Sequence, residues 1–211
     1  MPDVAASEHH EAIWEALPVG LESEAFAARR TFLLAGVSPG ERVLDLGCGE
    51  GRFAAELSRA GADVTAADVA EEPLRRARAA VPGLDARLLP LQGAWPLDDV
   101  AFDVVWAGEV IEHVADTAAW LSEVRRVLRP GGNLLLSTPG HPFALRARLA
   151  VSGRAFARHF DPVGDHLRFY TRASLTDALE TFGFERVAVG VARPRAFSAP
   201  LLLASAERSR F

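Results

Sequence analysis

A chain of 211 residues, 49% of them hydrophobic, is long enough to bury one full core and reads as a single domain. A net charge of −5, with 23 basic residues that are all Arg, argues against a general nucleic-acid binder. The single cysteine, Cys48, excludes an internal disulfide and a multi-cysteine metal site, and no run approaches the roughly 20 apolar residues of a membrane span.

Residues 1–38 read as two helices broken at Pro18-Val19-Gly20. The first carries Ile13, Trp14 and Leu17; the second runs from about Glu22 to Ala35 with Phe26, Arg29, Arg30, Phe32 and Leu33. The acidic N-terminus (Asp3, Glu8, Glu11) has no signal-peptide pattern, so a cytoplasmic location is expected. After Ser38-Pro39-Gly40 comes a short buried strand, Val43–Leu46, then Gly47-Cys48-Gly49-Glu50-Gly51, then a helix with Phe53, Ala54 and Leu57 on one face. Strand, glycine turn and helix together let backbone N–H groups and a helix N-terminus approach a ligand closely. The spacing is G-x-G-x-G, and Arg52 stands where a dinucleotide fingerprint has its last glycine, which counts against NAD or FAD. Between two such glycines Cys48 reads as a small turn residue, not a nucleophile.

From Arg42 onward strands and helices alternate, the signature of a parallel sheet covered on both faces. The second strand is Asp63–Asp68, and a helix with Leu74, Ala77 and Val81 follows, ending at Pro82-Gly83. A third strand lies near Ala86–Leu89, residues 90–101 form a loop, and Phe102–Ala107 is the fourth strand. Asp116 caps a helix whose stripe is Trp120, Leu121, Val124, Val127 and Leu128, which makes Trp120 core. Pro130-Gly131-Gly132 stops it before a fifth strand, Asn133–Ser137. Residues 139–170 are the least regular part. Six Arg (146, 148, 154, 158, 168, 172) and three His (141, 159, 166) face only Asp161 and Asp165 there, which reads either as a solvated face or as a lid over an anionic substrate. A helix from about Ser174 to Phe182 and two apolar segments, Glu185–Val191 and Leu201–Ala204, complete the chain. Ligands of such sheets sit outside the carboxyl ends of the strands, where Asp45, Asp68 and the residues after Ala107 fall.

Val43-Leu44-Asp45-Leu46-Gly47-Cys48-Gly49-x-Gly51 resembles the first motif of the class I S-adenosylmethionine-dependent methyltransferases. Asp68, Phe102-Asp103-Val104-Val105, Glu109-Val110-Ile111-Glu112-His113-Val114 and Val127-Leu128-Arg129-Pro130-Gly131-Gly132 match in order, over roughly residues 40 to 190. The resemblance implies an α/β fold with a doubly wound, mostly parallel seven-stranded sheet, the last two segments supplying its closing strands. It divides the single domain into a helical cover (1–38), a cofactor-binding core (39–138), an insertion or lid (139–170) and a closing helix with strands (171–211). It implies S-adenosylmethionine as cofactor, S-adenosylhomocysteine as product, and methyl transfer to a small-molecule acceptor, most readily at oxygen. The Glu-Val-Ile-Glu-His-Val stretch most resembles the quinone-precursor O-methyltransferases. A non-catalytic S-adenosylmethionine-binding protein is the alternative, and a nicotinamide-dependent oxidoreductase a weaker one. Nothing resembles an added nucleic-acid domain, and a monomer or homodimer is expected.

On the same basis Asp68 takes the ribose hydroxyls, since one carboxylate accepts two O–H donors. Asp45, Gly47, Cys48 and Gly49 line the methionine side, with Val69, Gly108 and Glu109 beside them. The family's adenine-binding acid is missing from Leu91-Gln92-Gly93-Ala94-Trp95; Gln92 or a backbone group of Gly93 or Ala94 replaces it, and Trp95 either walls off the ring or is core. His113 and His141 are the expected proton acceptors. Trp14, Arg29, His166 and Tyr170 are the expected acceptor contacts, the last two from Asp165-His166-Leu167-Arg168-Phe169-Tyr170. Glu109, Glu112, His113 and His141 also form a conceivable divalent-cation set, and activity without a metal is expected.

Overall fold

Side-chain alternation in β1 (Arg42–Leu46) sorts the two layers of the domain: Val43 packs on one face of the sheet, Leu44 and Leu46 on the other. Asp45 falls between them on the Val43 face, although it is a carboxylate. The computed structural model describes residues 2–21, 25–161, 164–193 and 200–210. Seven strands lie in the order β3-β2-β1-β4-β5-β7-β6, formed by β2 (Asp63–Asp68), β3 (Asp85–Leu88), β4 (Phe102–Gly108), β5 (Leu128–Pro139), β6 (Phe184–Ala192) and β7 (Leu201–Arg208). The first five strands run parallel and β7 is antiparallel to both its neighbours. The chain winds outward through β2 and β3, then crosses back to β4, so strand order reverses between β1 and β4. Ligands of open α/β sheets lie at such a reversal, in the crevice beyond the carboxyl ends of the strands.

One layer packs α2 (Phe26–Ala35), α3 (Arg52–Arg59) and α4 (Glu71–Ala80) through Leu33, Leu57 and Leu74 against Val43, Val104 and Trp106. The other packs α5 (Thr117–Val127) and α8 (Arg172–Thr181) through Leu121, Val124, Leu175 and Leu179 against Leu44, Val105 and Leu134. The Asp116 carboxylate accepts the Ala119 N–H at 2.9 Å, the N-cap its sequence position indicates.

The helical cover begins with α1 (Pro2–Ala16). The expected start of the second helix, near Glu22, lies outside the described residues, and α2 itself begins at Phe26. Three expectations are corrected. Residues 139–170 are not mainly irregular: α6 (Phe143–Val151) and α7 (Gly153–His159) fill the middle of the segment. Pro130-Gly131-Gly132 ends α5 but lies within β5, because Phe102 pairs with Leu128 and Val104 with Asn133, leaving residues 129–132 to bulge opposite Asp103. The seventh strand runs on to Arg208, since its whole length finds partners in β5 and β6.

Residues 90–101 form the loop expected between β3 and β4, and Arg126 of α5 pins it. Its guanidinium donates to the carbonyls of Trp95 (3.1 Å) and Leu97 (2.7 Å) and to Asp99 (2.6 Å), while Glu123 holds both Arg126 and the Trp95 N–H. Arg126→Met should lower stability by about 1–3 kcal/mol, because two carbonyls and two carboxylates lose a charged donor. Hydrogen exchange should show the loss concentrated in residues 90–101.

Candidate functional site

The glycine turn is stitched to the end of β2. Gly47 N–H and Cys48 N–H both donate to the Ala67 carbonyl, at 2.8 and 3.0 Å, and Gly49 N–H donates to Asp68 Oδ2 at 3.0 Å. The backbone donors expected to meet a ligand are therefore engaged within the protein. What the turn offers a ligand is shape, and the side chains around it. Gly47 has φ +70°, and a Cβ there would lie 2.4 Å from the Val110 side chain; Gly49 has φ +53°, and a Cβ there would meet the Trp14 ring at 2.8 Å. Cys48 is buried and its thiol pKa is raised by desolvation, which fits a turn residue.

Asp68 is buried rather than exposed at the strand end. Besides Gly49 it accepts the N–H of Val69 (2.8 Å) and Ala70 (3.3 Å) on Oδ1. Burial outweighs these three donors and raises its pKa to about 6. Asp45, 1% exposed, has no hydrogen-bond partner on either oxygen. Burial raises its pKa to about 7; the Ala54 N–H opposes this from outside hydrogen-bond geometry, and Asp68 adds to it. Gly108 is glycine for a packing reason: a Cβ would lie 2.8 Å from the buried Trp106 ring. Gly93 and Ala94 are exposed on the pinned loop. Trp95 is core: its ring is buried and packs edge-on against Trp120 with centroids 6.5 Å apart.

Beyond β4 a second set of polar groups gathers. Glu109 holds a left-handed backbone (φ +60°), with its N–H on the Ser137 carbonyl and its Oε1 accepting from Ser137 Oγ at 2.9 Å. Glu112 sits on a 3-10 turn, Ile111–His113, almost fully buried. Oε2 accepts from Thr138 Oγ1 at 3.0 Å and Oε1 has no partner. Desolvation, with Glu109 nearby, raises its pKa to about 8. Arg29 faces both acids from α2. It is 6% exposed, its guanidinium lies over the Phe53 ring, and its Nε has no partner.

His113 is half-buried, with Nδ1 2.9 Å from the Asp165 carbonyl oxygen. A carbonyl only accepts, so Nδ1 carries the proton and the neutral ring keeps a lone pair on Nε2. Desolvation lowers its pKa, so the neutral form prevails at pH 7. The loop that supplies Asp165 is fixed on the same turn, since Leu167 N–H and Arg168 N–H both donate to the Glu112 carbonyl. His166 packs edge-on to His113 with centroids 4.8 Å apart. His141 is engaged elsewhere: Nδ1 donates to the Tyr170 carbonyl at 3.1 Å, so Nε2 accepts from His159 Nε2–H, also at 3.1 Å. The two expected proton acceptors are thus distinguished by geometry, with His113 the one whose Nε2 keeps a lone pair. The Tyr170 ring is buried in the core, and its contribution here is the backbone carbonyl.

Trp14 lies on the glycine turn, its ring 2.8 Å from the place a Cβ on Gly49 would take. Glu11 caps α4 by accepting the N–H of Glu71 and Glu72, both at 2.8 Å, and Arg76 donates to the Trp14 and Leu17 carbonyls at 2.7 and 3.0 Å. Nothing in the sequence marks Glu11 or Arg76, because the contact joins elements about 60 residues apart.

The unpartnered oxygens of Asp45 and Glu112, the unpartnered Arg29 Nε and the close approach at Gly47 and Gly49 fit a ligand carrying both cationic and anionic groups. S-Adenosylmethionine is such a molecule. Glu112, His113 and His166 form a possible metal set among the described residues, their ligand atoms all within 4.8 Å of one another.

The fold is that of the class I S-adenosylmethionine-dependent methyltransferases. The methyltransferase-domain family profile matches residues 20–189, and the chain belongs to that family. It is 38% identical over 133 residues to a ubiquinone biosynthesis O-methyltransferase from Xanthomonas oryzae pv. oryzae, covering 60% of this chain and 54% of the relative. To a probable S-adenosylmethionine-dependent methyltransferase from Mycolicibacterium smegmatis it is 40% identical over 147 residues, covering 69% and 52%. The chain thus spans about half the length of these curated relatives. Among solved structures, an S-adenosylmethionine-dependent methyltransferase from Mesorhizobium loti superposes with a TM-score of 0.66 at 25% identity, covering 88% of this chain and 98% of that one. A Haemonchus contortus phosphoethanolamine N-methyltransferase in complex with S-adenosylmethionine shares the fold at 17% identity and TM-score 0.66, covering 87% and 53%.

Asp45 sets a pH dependence in the ligand-free protein. An acid whose folded pKa lies above its ordinary 3.8 binds its proton more tightly in the fold than in the unfolded chain. Its contribution to stability is fully present below about pH 4 and is lost as pH rises through about 7. Asp45→Asn should therefore melt higher than wild type at pH 8, by about 1–3 kcal/mol, with the gap closing toward pH 5. Thermal melts at the two pH values check this.

Proposed function

We propose that this chain transfers a methyl group from S-adenosylmethionine to an oxygen atom of a small-molecule acceptor. The observations that carry the reading are the buried carboxyl groups of Asp45 and Asp68 beside the glycine turn at the strand-order reversal, and a neutral His113 on the turn that follows β4. When bound, S-adenosylmethionine supplies an electrophilic methyl group on a sulfonium. Asp68 would accept a ribose hydroxyl, Asp45 would accept from the ammonium on the methionine side, and Arg29 would answer the carboxylate. Trp14 and α1 close over the glycine turn and exclude water. His113 Nε2 takes the proton from the acceptor hydroxyl, and the Asp165 carbonyl stabilises the resulting imidazolium through Nδ1–H. His166 borders the acceptor beside His113. The choice of oxygen is supported by the O-methyltransferase relatives at 37–38% identity. Phosphoethanolamine N-methyltransferase, at 17% identity, supports the fold alone.

Titration with S-adenosylhomocysteine tests the cofactor half. Asp68→Ala should lose on the order of 1.5–3 kcal/mol of affinity, from a charge-assisted hydrogen bond to the ribose. It should also melt lower, since three backbone N–H groups lose their acceptor, whereas Asp68→Asn keeps one acceptor oxygen and should melt less far below wild type. Unchanged affinity in both variants contradicts the ribose assignment.

Methyl transfer from labelled cofactor to a panel of phenols, sugars and amines tests the chemistry. His113→Gln should cut kcat by on the order of 100-fold or more, with cofactor affinity retained. The wild-type rate should rise with pH and level off below the ordinary histidine pKa of 6.5, because burial favours the neutral ring. A strong chelator should leave the rate unchanged. Loss of activity on chelation with recovery in Mn²⁺ assigns Glu112, His113 and His166 to a metal instead.

A further inference from the structure

His141 and His159 bracket the pair of helices α6 and α7 and meet head to head. His141 follows β5 and His159 is the last residue of α7, and their Nε2 atoms lie 3.1 Å apart. The His141 side is held firmly. The Tyr170 carbonyl accepts from its backbone N–H at 3.0 Å and from its ring Nδ1 at 3.1 Å, and Gly140 forms a strand-like bridge with Tyr170 beside it. Nδ1 therefore carries the proton, and the Nε2 lone pair points at His159. Aromatic rings hold the other partner. Phe160 and Phe169 lie 5.0 and 5.2 Å from the His159 ring, centroid to centroid, and Phe169 meets His141 edge-on at 5.2 Å. Both histidines are half-buried, and neither belongs to the set of Glu112, His113 and His166.

Two imidazoles so placed have the spacing of a metal chelate. With metal–nitrogen bonds of roughly 2.0–2.1 Å, the two nitrogens stand about 2.9 Å apart at a right angle and about 3.3 Å apart at the tetrahedral angle. The 3.1 Å separation lies between these values. A ring whose other nitrogen donates to a backbone carbonyl is the common outer-shell arrangement of a ligating histidine, because that bond fixes tautomer and orientation. On His159 the proton now on Nε2 can move to Nδ1, which makes no hydrogen bond among the described residues. Both rings then offer Nε2 and stay neutral. The surroundings select the kind of ion. Helices α6 and α7 carry Arg146, Arg148, Arg154 and Arg158 and no acid, so they supply no carboxylate to a hard cation such as Mg²⁺. Imidazole nitrogens suit zinc, copper and nickel instead. We infer that His141 and His159 bind a late first-row transition ion of the Zn²⁺ class, with water completing its shell. The ion ties α7 to the end of β5. These helices gain most from such a tie, since Leu149 is their one buried side chain among the described residues. The site does not depend on the methyl-transfer reading.

Calorimetric titration of the full, tag-free chain with Zn²⁺, after stripping with a chelator, tests the inference. Zn²⁺ should bind, raise the melting temperature and slow hydrogen exchange in residues 143–159, and excess Mg²⁺ should not displace it. His141→Gln and His159→Gln should each weaken Zn²⁺ binding by on the order of 100-fold or more, since loss of an outer-shell partner alone costs roughly 10–100-fold. His113→Gln should leave Zn²⁺ binding unchanged. Copper supplies a readout that needs no variant: electron paramagnetic resonance of the Cu²⁺-loaded wild type should show coupling to two imidazole nitrogens. No Zn²⁺ binding, binding indifferent to both His141→Gln and His159→Gln, or a Cu²⁺ spectrum with fewer than two nitrogens overturns the inference. So does Zn²⁺ binding that His113→Gln abolishes and His159→Gln spares, because the ion then sits on Glu112, His113 and His166.

Discussion

The bond between Asp68 and the Gly49 N–H is the constraint on which the rest of the site depends. Through Val69 and Ala70 the same carboxylate holds the start of the β2–α4 connection, and the Ala67 carbonyl holds Gly47 and Cys48. One strand end thereby fixes both loops that flank the crevice. The left-handed glycines are then obligatory in place, because the fixed turn is packed by Val110 on one side and Trp14 on the other. Three of the roughly four lone-pair sites of the Asp68 carboxylate are taken by backbone donors, which leaves one, on Oδ2, for a ligand hydroxyl, so the group can serve the fold and a cofactor together.

The site stores electrostatic cost. Asp45 and Asp68 form one pair of buried acids, Glu109 and Glu112 a second pair with Arg29 as its cationic neighbour, and burial raises the pKa of all four. A core selected for stability alone would replace Asp45, whose oxygens have no partner, by an apolar residue. Its retention at the carboxyl end of β1 makes sense if a ligand supplies the missing donor. The left-handed conformation of Glu109 is a second local cost in the same place.

Most of the sheet was legible because its strands are apolar runs bounded by glycine, proline and aspartate, and its helices carry clear stripes such as Trp120, Leu121, Val124 and Val127. Helices α6 and α7 were not, because their pattern lacks a core-facing stripe: Leu149 is their one buried side chain among the described residues. Pro130-Gly131-Gly132 reads locally as a stop, and only its pairing across Asp103 shows it as a bulge. At the site, the identity of Asp68 was legible but its burial was not, since the amides that enclose it come from another strand's turn. The Trp14–Gly49 contact and the distinction between His113 and His141 depend on which carbonyls the folded chain brings to each ring. No local pattern encodes such contacts.

The central claim is that buried acids at the strand ends, partly protonated in the free protein, meet the charged groups of the cofactor. Binding must then release protons. Calorimetric titration with S-adenosylhomocysteine, in buffers of different ionisation enthalpy across pH 6 to 9, counts them directly. The account predicts net release between about pH 6 and 8, where Asp68, Asp45 and Glu112 titrate in turn, fading toward pH 9. Tight binding with no proton exchange anywhere in that range would contradict it.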